Sequence, residues 1–532
     1  MSDIKNKATE AVSATDQVST TDQVSTTGHV RYRGLLTLTT MCATLMQTLD
    51  TTIANVALPH MQGSMSATQD QVAWVLTSYI IASAIMIPPV AYLANRFGRK
   101  QLFMLTIAGF TLTSMLCGAA TSIVEMVLYR ILQGIFGAGL VPLSQAVLLD
   151  IYPREKHGSA MAMWGVGVMI GPILGPTLGG YLTETLSWRW VFYINLPVGI
   201  LAFLGFFFFM PNKGGVKKLP FDWLGFILLS FGIGAAQLML DRGETLDWFT
   251  SNEVMIEGAL SLVCLYMFVV HSLTAKNPFL EMALFKDRNF VIALCCIFLF
   301  GMILLATLTL LPPFLQQLMG YPVLQAGYIL APRGAGTMFA LLILGRLIVF
   351  IDARYLILFG LTLTALSLYE MATFTTAVSA GTVVKVGIVQ GIGLGFIFVP
   401  LSTFAYSTLE TRLRTEATSF YSLMRNVGSS VGISVMVGLL THNTQTNHEA
   451  LSQFSSPFNA ALNVADVATY WSLEETSGLV ALNSEITLQA ATIAYQNDFR
   501  LMMFVTVVMM PLLLLFKLNK VEPVAVVQSA KV

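Results

Sequence analysis

Long apolar runs separated by short polar connections dominate this sequence. A bilayer core about 30 Å thick requires about twenty apolar residues per helix. Runs of about that length predict an all-α membrane protein with fourteen spans, near residues 34–58, 71–93, 102–120, 126–149, 158–182, 190–210, 222–241, 254–273, 290–314, 326–346, 355–376, 384–408, 419–441 and 499–517.

The composition agrees with a chain that faces lipid. Of its 532 residues 55% are hydrophobic and only 11% are charged, whereas soluble domains carry about a quarter charged residues. The formal net charge is zero, which offers no argument for nucleic-acid binding. The five cysteines lie in apolar runs without metal-ligand spacing. No phosphate-binding loop or hydrolase motif occurs, so we expect no metal, no cofactor and no enzymatic site.

The basic residues predict the orientation. If the N-terminus is cytoplasmic, 22 of the 29 lysines and arginines fall in cytoplasmic segments and three in external ones, and the other four lie in spans. Cytoplasmic loops of membrane proteins carry such an excess, so we expect both termini inside. The first thirty residues are polar and lack a signal peptide, which indicates a disordered tail. The one long external segment, 442–498, suggests short amphipathic helices that form either a partner-docking surface or a solvated cap.

Asp50 is the most informative charge because it lies deep in the first apolar run. Thr51, Thr52 and Asn55 are close to it on the same helix. A charge at the bilayer centre costs at least about 2.5–3.5 kcal/mol, so it requires a partner or a function. Burial favours the neutral acid and a nearby cation favours the carboxylate. A carboxyl balanced between them can load and release a proton; a structural ion pair is the alternative.

Other charges within the apolar runs are candidates of the same kind. Arg130, in RILQGIFGAG, is either a fixed cation that tunes an acidic partner or a structural clamp. Glu370 is a second carboxyl inside a run, close to its outer end. Arg333 and Arg425 lie nearer the ends of their runs, where they can pair or extend to the interface.

A glycine-proline stripe marks the fifth run, GVGVMIGPILGPTLGGYL. Small residues every four positions allow two helix backbones to approach closely, and prolines bend a helix. We expect a packed or pivoting helix contact here, formed by Gly167, Gly171, Pro172, Gly175, Pro176 and Gly179.

Several of these segments resemble the fourteen-span drug:proton antiporters of the major facilitator superfamily (the EmrB/QacA group), most closely its EmrB-type members. LDTTIANVALP is similar to the group's first-helix signature, RILQGIFGAG to its fourth-helix motif and GVMIGPILGPTLGG to its antiporter motif. WRWVFYINLPVG, LDRGETLDWF, APRGAGT, RNVGSSVG and QAATIAYQNDF also follow the family pattern. AYLANRFGRK resembles the gating loop, formed here by Asn95, Arg96, Gly98 and Arg99, although Ala91 and Asn95 replace the usual Gly and Asp.

The resemblance implies a major facilitator fold of two six-helix bundles (34–210 and 290–517), with two inserted helices within 211–289 and tails at 1–33 and 518–532. It implies proton coupling at Asp50 with Arg130; Glu370, as a carboxyl within an apolar run, is a further candidate to bind a proton or a cationic substrate. The central substrate cavity would include Asn55, Gln133, Arg333 and Arg425. It also implies hydrophobic drugs as substrates, a bacterial inner-membrane location, a periplasmic adaptor and an outer-membrane channel.

Three other functions compete with proton-driven multidrug export. The same scaffold would serve a dedicated exporter of an endogenous metabolite or siderophore. The glycine-proline stripe argues against a nutrient importer, and a receptor or scaffold leaves Asp50 and Arg130 unexplained.

Overall fold

The computed structural model describes residues 32–517, except 154–155, 212–219, 277, 279, 349, 457, 460–461, 463–470 and 473–474. The expected tails lie almost entirely outside the described residues. The described part is built of helices and connecting turns, without a strand. Each stretch predicted as a span contains helix.

The described residues of the first half of the chain form nine α-helices. They are α1 (Arg33–Ser64), α2 (Gln69–Met86), α3 (Val90–Phe97), α4 (Arg99–Ala119), α5 (Ile123–Gly137), α6 (Leu140–Ile151), α7 (His157–Thr185), α8 (Trp190–Tyr193) and α9 (Asn195–Phe209). Three predicted spans are each divided between two helices. The second span bends by 58° between α2 and α3, where Pro88 and Pro89 stand, because proline cannot donate a helix hydrogen bond.

The remaining helices follow after residue 220. They are α10 (Trp223–Arg242), α11 (Asn252–Thr274), α12 (Arg288–Pro313), α13 (Val323–Leu347), α14 (Ala353–Met371), α15 (Ala380–Ser407), α16 (Arg414–Ser452) and α17 (Thr476–Leu512). The last two extend well beyond the predicted spans, so much of segment 442–498 continues these helices.

Polar residues just before the apolar runs begin several helices. Thr68 and Gln71 form a reciprocal capping box at α2, which satisfies two backbone donors that a helix start leaves open. Side-chain oxygens of Ser122, Asp287 and Ser379 accept from backbone amides at the starts of α5, α12 and α15. Each cap therefore satisfies part of the hydrogen-bonding capacity that the first turn of a helix leaves open.

Eleven helical segments in the described residues are long and apolar enough to cross a membrane, or twelve if the bent α2–α3 pair is one span. The helices α1 and α14 coincide with predicted spans but do not meet this test of length and mean hydropathy. α1 is rich in threonine and carries Asp50, and α14 has only 19 residues, which include Arg354 and Glu370. These polar residues lower the hydropathy, so length and composition alone do not establish fourteen spans.

The two halves repeat one pattern of helix contacts. In the first, α1 packs on α7, α2 on α5, and α4 on α5 and α9. In the second, α12 packs on α16, α13 on α15, and α14 on α15 and α17. The halves meet mainly where α7 packs against α13. This repetition corresponds to two bundles of like topology, here called the first and second bundle.

The inserted helix α10 lies in the seam between α2 of the first bundle and α16 of the second. Thr77 on α2 donates a hydrogen bond to Asp241 on α10. On the other side, Gln237 Nε2 donates to Ser430 Oγ at 2.7 Å and Ser434 Oγ donates to the Leu240 carbonyl at 2.6 Å. α11 packs on α10 and is exposed on much of its surface.

One end of the molecule, here called the basic end, gathers the arginine-rich connections. Arg99 pairs with Asp150 there, and Arg354 donates to the Phe516 carbonyl. The three hydrogen bonds described directly between the bundles also lie at this end, from Ser159 to the Gly345 carbonyl, from Tyr406 to Gln145 and from Arg414 to the Leu149 carbonyl. The bundles are therefore fastened together at the basic end.

Candidate functional site

A completely buried ion pair lies inside the first bundle. Asp50, midway along α1, and Arg130, on α5, each have 0% exposed side chain, and Arg130 Nη1 lies 2.7 Å from Asp50 Oδ2. In the low-dielectric interior of a bundle, such a pair is strongly coupled, because each ion left alone carries a desolvation penalty of several kcal/mol.

Two amides complete the coordination of the Asp50 carboxylate. Gln133 Nε2 donates to Asp50 Oδ1 at 2.9 Å, and Asn195 Nδ2, at the start of α9, donates to the same oxygen at 3.2 Å. Asn195 also donates to Ser114 Oγ on α4. Asp50 thus holds α1, α5 and α9 together through three hydrogen bonds.

Arg130 is fixed by further contacts on α2. Its Nε donates to the Val75 carbonyl at 2.9 Å, and its guanidinium carbon lies 4.3 Å from the centre of the Tyr79 ring. Nη1 donates as well to Gln133 Oε1 at 2.8 Å. An aromatic face attracts a cation, so Tyr79 adds to the stabilisation of this buried charge.

The glycine stripe of α7 faces α1, directly behind the Asp50 site. A Cβ added to Gly171 would lie 2.7 Å from the Thr48 carbonyl carbon, and one added to Gly175 would lie 2.8 Å from Thr52 Cβ. Thr52 Oγ1 donates to the Gly171 carbonyl at 3.2 Å. Gly167 and Gly179 pack in the same row against Met41 and Ile53. The stripe therefore sets a contact within the first bundle.

The two prolines of the motif lie within α7, which runs unbroken from His157 to Thr185. Pro172 is half-buried. The side chain of Pro176 lies outside what the structure describes.

The gating-loop residues lie between α3 and α4 at the basic end. Gly98 has φ +86°, a left-handed conformation that favours glycine. Arg99 pairs with Asp150, the residue next to the last in α6, while Arg96 Nη1 donates to Tyr92 Oη at 3.1 Å. Asn95 is exposed. The charged link between these elements is thus made by Arg99.

The other predicted site residues are dispersed. Asn55 is exposed and donates to the carbonyl of Thr51. Glu370 is half-buried in the last turn of α14, in the second bundle. Arg425, on α16, lies 6.0 Å from the Phe398 ring centre, and Arg333, on α13, is buried at 7% exposure. Only Asp50, Arg130 and Gln133 come together.

Comparison with known proteins identifies the family to which this architecture belongs. The family model described as Major Facilitator Superfamily matches residues 40–433. The chain belongs to the Major Facilitator Superfamily. It is therefore a multi-pass membrane protein of a transporter superfamily, and the predicted family is confirmed.

Curated members of the superfamily match over most of their length. The chain is 35% identical to the multidrug export protein EmrB of Haemophilus influenzae, over 87% of this chain and 92% of that protein. It is 36% identical to EmrB of Escherichia coli, over 80% and 83%. It is also 35% identical to the fatty acid resistance protein FarB of Neisseria gonorrhoeae, over 91% and 96%.

A solved superfamily structure supports the fold. The proton:xylose symporter XylE, bound to 6-bromo-6-deoxy-D-glucose, matches with a TM-score of 0.56 at 14% identity, over 92% of this chain and 100% of that one. At this identity the likeness is one of fold alone.

The sequence did not identify several residues of the buried network around Asp50 and Arg130. Asn195, Ser114 and Tyr79 are uncharged, so nothing in a search for charges singles them out. Asn195 had one weak signal, a polar residue within the apolar run of the sixth span. Gln133 was assigned to a substrate cavity, whereas the structure buries it in contact with Asp50 and Arg130.

Proposed function

We propose that the chain is a proton-coupled multidrug exporter of a bacterial inner membrane, with fourteen spans and both termini in the cytoplasm. The observation that carries the coupling is the buried Asp50–Arg130 pair, because it is a protonatable group that holds several helices. The relatives named multidrug export proteins support the drug substrates.

Protonation of Asp50 is the step that this geometry links to movement. A neutral Asp50 no longer attracts Arg130, and its protonated oxygen turns from acceptor to donor. Arg130 is then a buried cation without a counter-ion, which is costly. The contact between α1 and α5 must therefore rearrange when a proton binds. Alternating access requires such a coupling between ion binding and helix position.

The resemblance also supports a periplasmic adaptor and an outer-membrane channel as partners. The long helices α16 and α17 extend beyond the predicted spans on the side opposite the basic end, where such an adaptor would bind. Substrate would enter a central cavity between the bundles, with Asn55, Arg333 and Arg425 as residues to examine.

Proton flux in liposomes tests the coupling. In vesicles with an imposed pH gradient, adding a hydrophobic drug to wild type should trigger proton release. Asp50→Asn should abolish this release and retain drug binding. The substitution removes the titrating carboxyl but keeps a side chain of nearly the same size and shape. Glu449→Gln, at an exposed position of α16, is the matched control and should release protons as wild type does.

The alternatives give different results in the same vesicles. Equal flux from wild type and Asp50→Asn would move the coupling site elsewhere. An absence of drug-linked flux in wild type would favour a dedicated exporter, a function suggested by the relative named a fatty acid resistance protein.

A further inference from the structure

The second bundle contains a counterpart of the Asp50 site at a matching helix contact. In the first bundle, a Cβ on Gly134 of α5 would lie 2.5 Å from the Tyr79 carbonyl oxygen of α2. In the second bundle, Gly391 of α15 packs in the same manner on the Arg333 carbonyl oxygen of α13. A glutamine precedes each glycine, Gln133 in one bundle and Gln390 in the other.

This register assigns the partners of the second site. Arg333 occupies on α13 the place that Tyr79 occupies on α2. The position three residues before the glutamine is Arg130 in the first bundle and Gly387 in the second. A Cβ on Gly387 would lie 3.6 Å from Arg333 Cβ. The second bundle thus packs its arginine against the turn of α15 that carries the glutamine, but from the opposite helix.

The counterpart lacks the acid. α12 has the position of α1 in the contact pattern, and residues 288–313 contain no Asp or Glu. Within the described part of the chain, no carboxylate lies within 4 Å of the Arg333 guanidinium. Where the first bundle has a closed ion pair, the second has an arginine and a glutamine without their anion.

Several polar atoms here are buried without a hydrogen-bond partner among the described residues. They are Arg333 Nη2 and both side-chain polar atoms of Gln390, which has 0% exposure. A buried donor without an acceptor costs about 1–3 kcal/mol, and more when it is charged. The first site also keeps Arg130 Nη2 and Asn195 Oδ1 without such a partner, but its guanidinium has a carboxylate as counter-ion. Arg333 retains 7% exposure whereas Arg130 has none, so the second site is not fully closed to a ligand.

We propose that Arg333 and Gln390 form a binding site for a single negatively charged group. The guanidinium supplies charge and a planar set of donors that matches a carboxylate, and the Gln390 amide supplies one more donor. The ligand is the carboxylate of an exported hydrophobic acid or a free anion such as chloride. As a substrate site, this inference rests on the proposed export function; as an anion site, it does not.

Binding to the purified protein in detergent, without a proton gradient, tests the site. The probes are 4-butylbenzoate, the uncharged 4-butylbenzyl alcohol, and chloride titrated into chloride-free buffer, all followed by calorimetry. Wild type should bind the benzoate more tightly than the alcohol. Arg333→Gln should bind it about ten- to hundredfold more weakly, since a hydrogen bond to a charged group contributes about 1.5–3 kcal/mol. Arg333→Lys should restore part of the affinity.

Two further variants keep the test decisive. Arg346→Gln, an exposed arginine in the last turn of the same helix, should bind as wild type does. Gln390→Leu keeps the charge and removes one donor, and should weaken benzoate binding even if Arg333→Gln does not fold. Chloride that competes with benzoate in wild type, but not in Arg333→Gln, would identify the free anion as the occupant. Benzoate affinity that is unchanged in both site variants, with no response to chloride, would overturn the proposal.

The transport result is read separately. If wild type binds benzoate but shows no drug-driven proton release, the result would contradict the exporter proposal and would not affect the anion site. The reverse result would contradict the anion site alone.

Discussion

At Asp50, three hydrogen bonds and one full opposite charge surround a single carboxylate. Arg130, Gln133 and Asn195 supply the donors from two other helices. Removing one partner of a buried pair is expected to destabilise a protein more than removing both, because a lone charge then stays in the interior. Loss of either partner alone is therefore expected to destabilise the protein, apart from its effect on the proposed coupling.

A double-mutant cycle measures this coupling. Arg130→Gln should lower the free energy of unfolding by about 3–5 kcal/mol, because it leaves the buried Asp50 without its counter-ion. Asp50→Asn should also destabilise, and the double variant should lose less than the sum of the two. Thermal unfolding in detergent of all four proteins provides the comparison. Additive losses would contradict a direct interaction between the two residues.

The sequence identified the charged members of the site and missed the uncharged ones for a physical reason. A charge in an apolar run is costly wherever its helix lies, so Asp50 and Arg130 could be recognised without knowledge of the packing. Asn195 and Tyr79 take part only because α9 and α2 happen to lie beside them. That depends on the helix arrangement, which local sequence does not encode. That Gln390 has no hydrogen-bond partner among the described residues also depends on packing and could not be predicted from the sequence.

Among the helices, α7 shows how far a local pattern predicts packing. Four-residue spacing of glycine indicated a close helix contact, and the structure has one, with α1 as the partner. The pattern did not identify α1, since any helix with small or flat side chains would fit. Predicted ends were least accurate at α16 and α17, because their polar extensions lack the apolar signal used to find spans.

Two glycines of α7 offer a matched test of this contact. Gly171→Ala should lower the free energy of unfolding by about 1–3 kcal/mol, because its methyl group meets the backbone at Thr48 and overpacks the interface. Gly180→Ala, about two and a half helix turns nearer the end, has open space around its Cβ position and should be neutral or slightly stabilising. The measurement is the thermal midpoint of each purified protein in the same detergent. Equal midpoints for the two variants would contradict the tight contact.

For the whole molecule, the orientation and the number of spans depend on each other. The bundles are fastened together at the basic end, and the lysine and arginine distribution assigns that end to the cytoplasm. If that holds, the three direct hydrogen bonds between the bundles lie on the cytoplasmic side. An odd number of spans must then separate any inner loop from any outer loop.

Labelling of single cysteines tests both points, in a chain whose five native cysteines are replaced. Phe350, 85% exposed, and Thr375, also exposed, flank α14, a helix whose length and composition do not by themselves establish a span. On intact spheroplasts, a membrane-impermeant maleimide should label Thr375→Cys but should label Phe350→Cys only after lysis. Asn95→Cys and Thr250→Cys, in loops separated by five predicted spans, should behave as the inner and outer controls.

Labelling of both α14 flanks from one side would show that α14 does not cross, and it would reduce the proposed fourteen spans. A reversal of all four patterns would instead keep the spans and place both termini outside, because the order of loops along the chain would be unchanged.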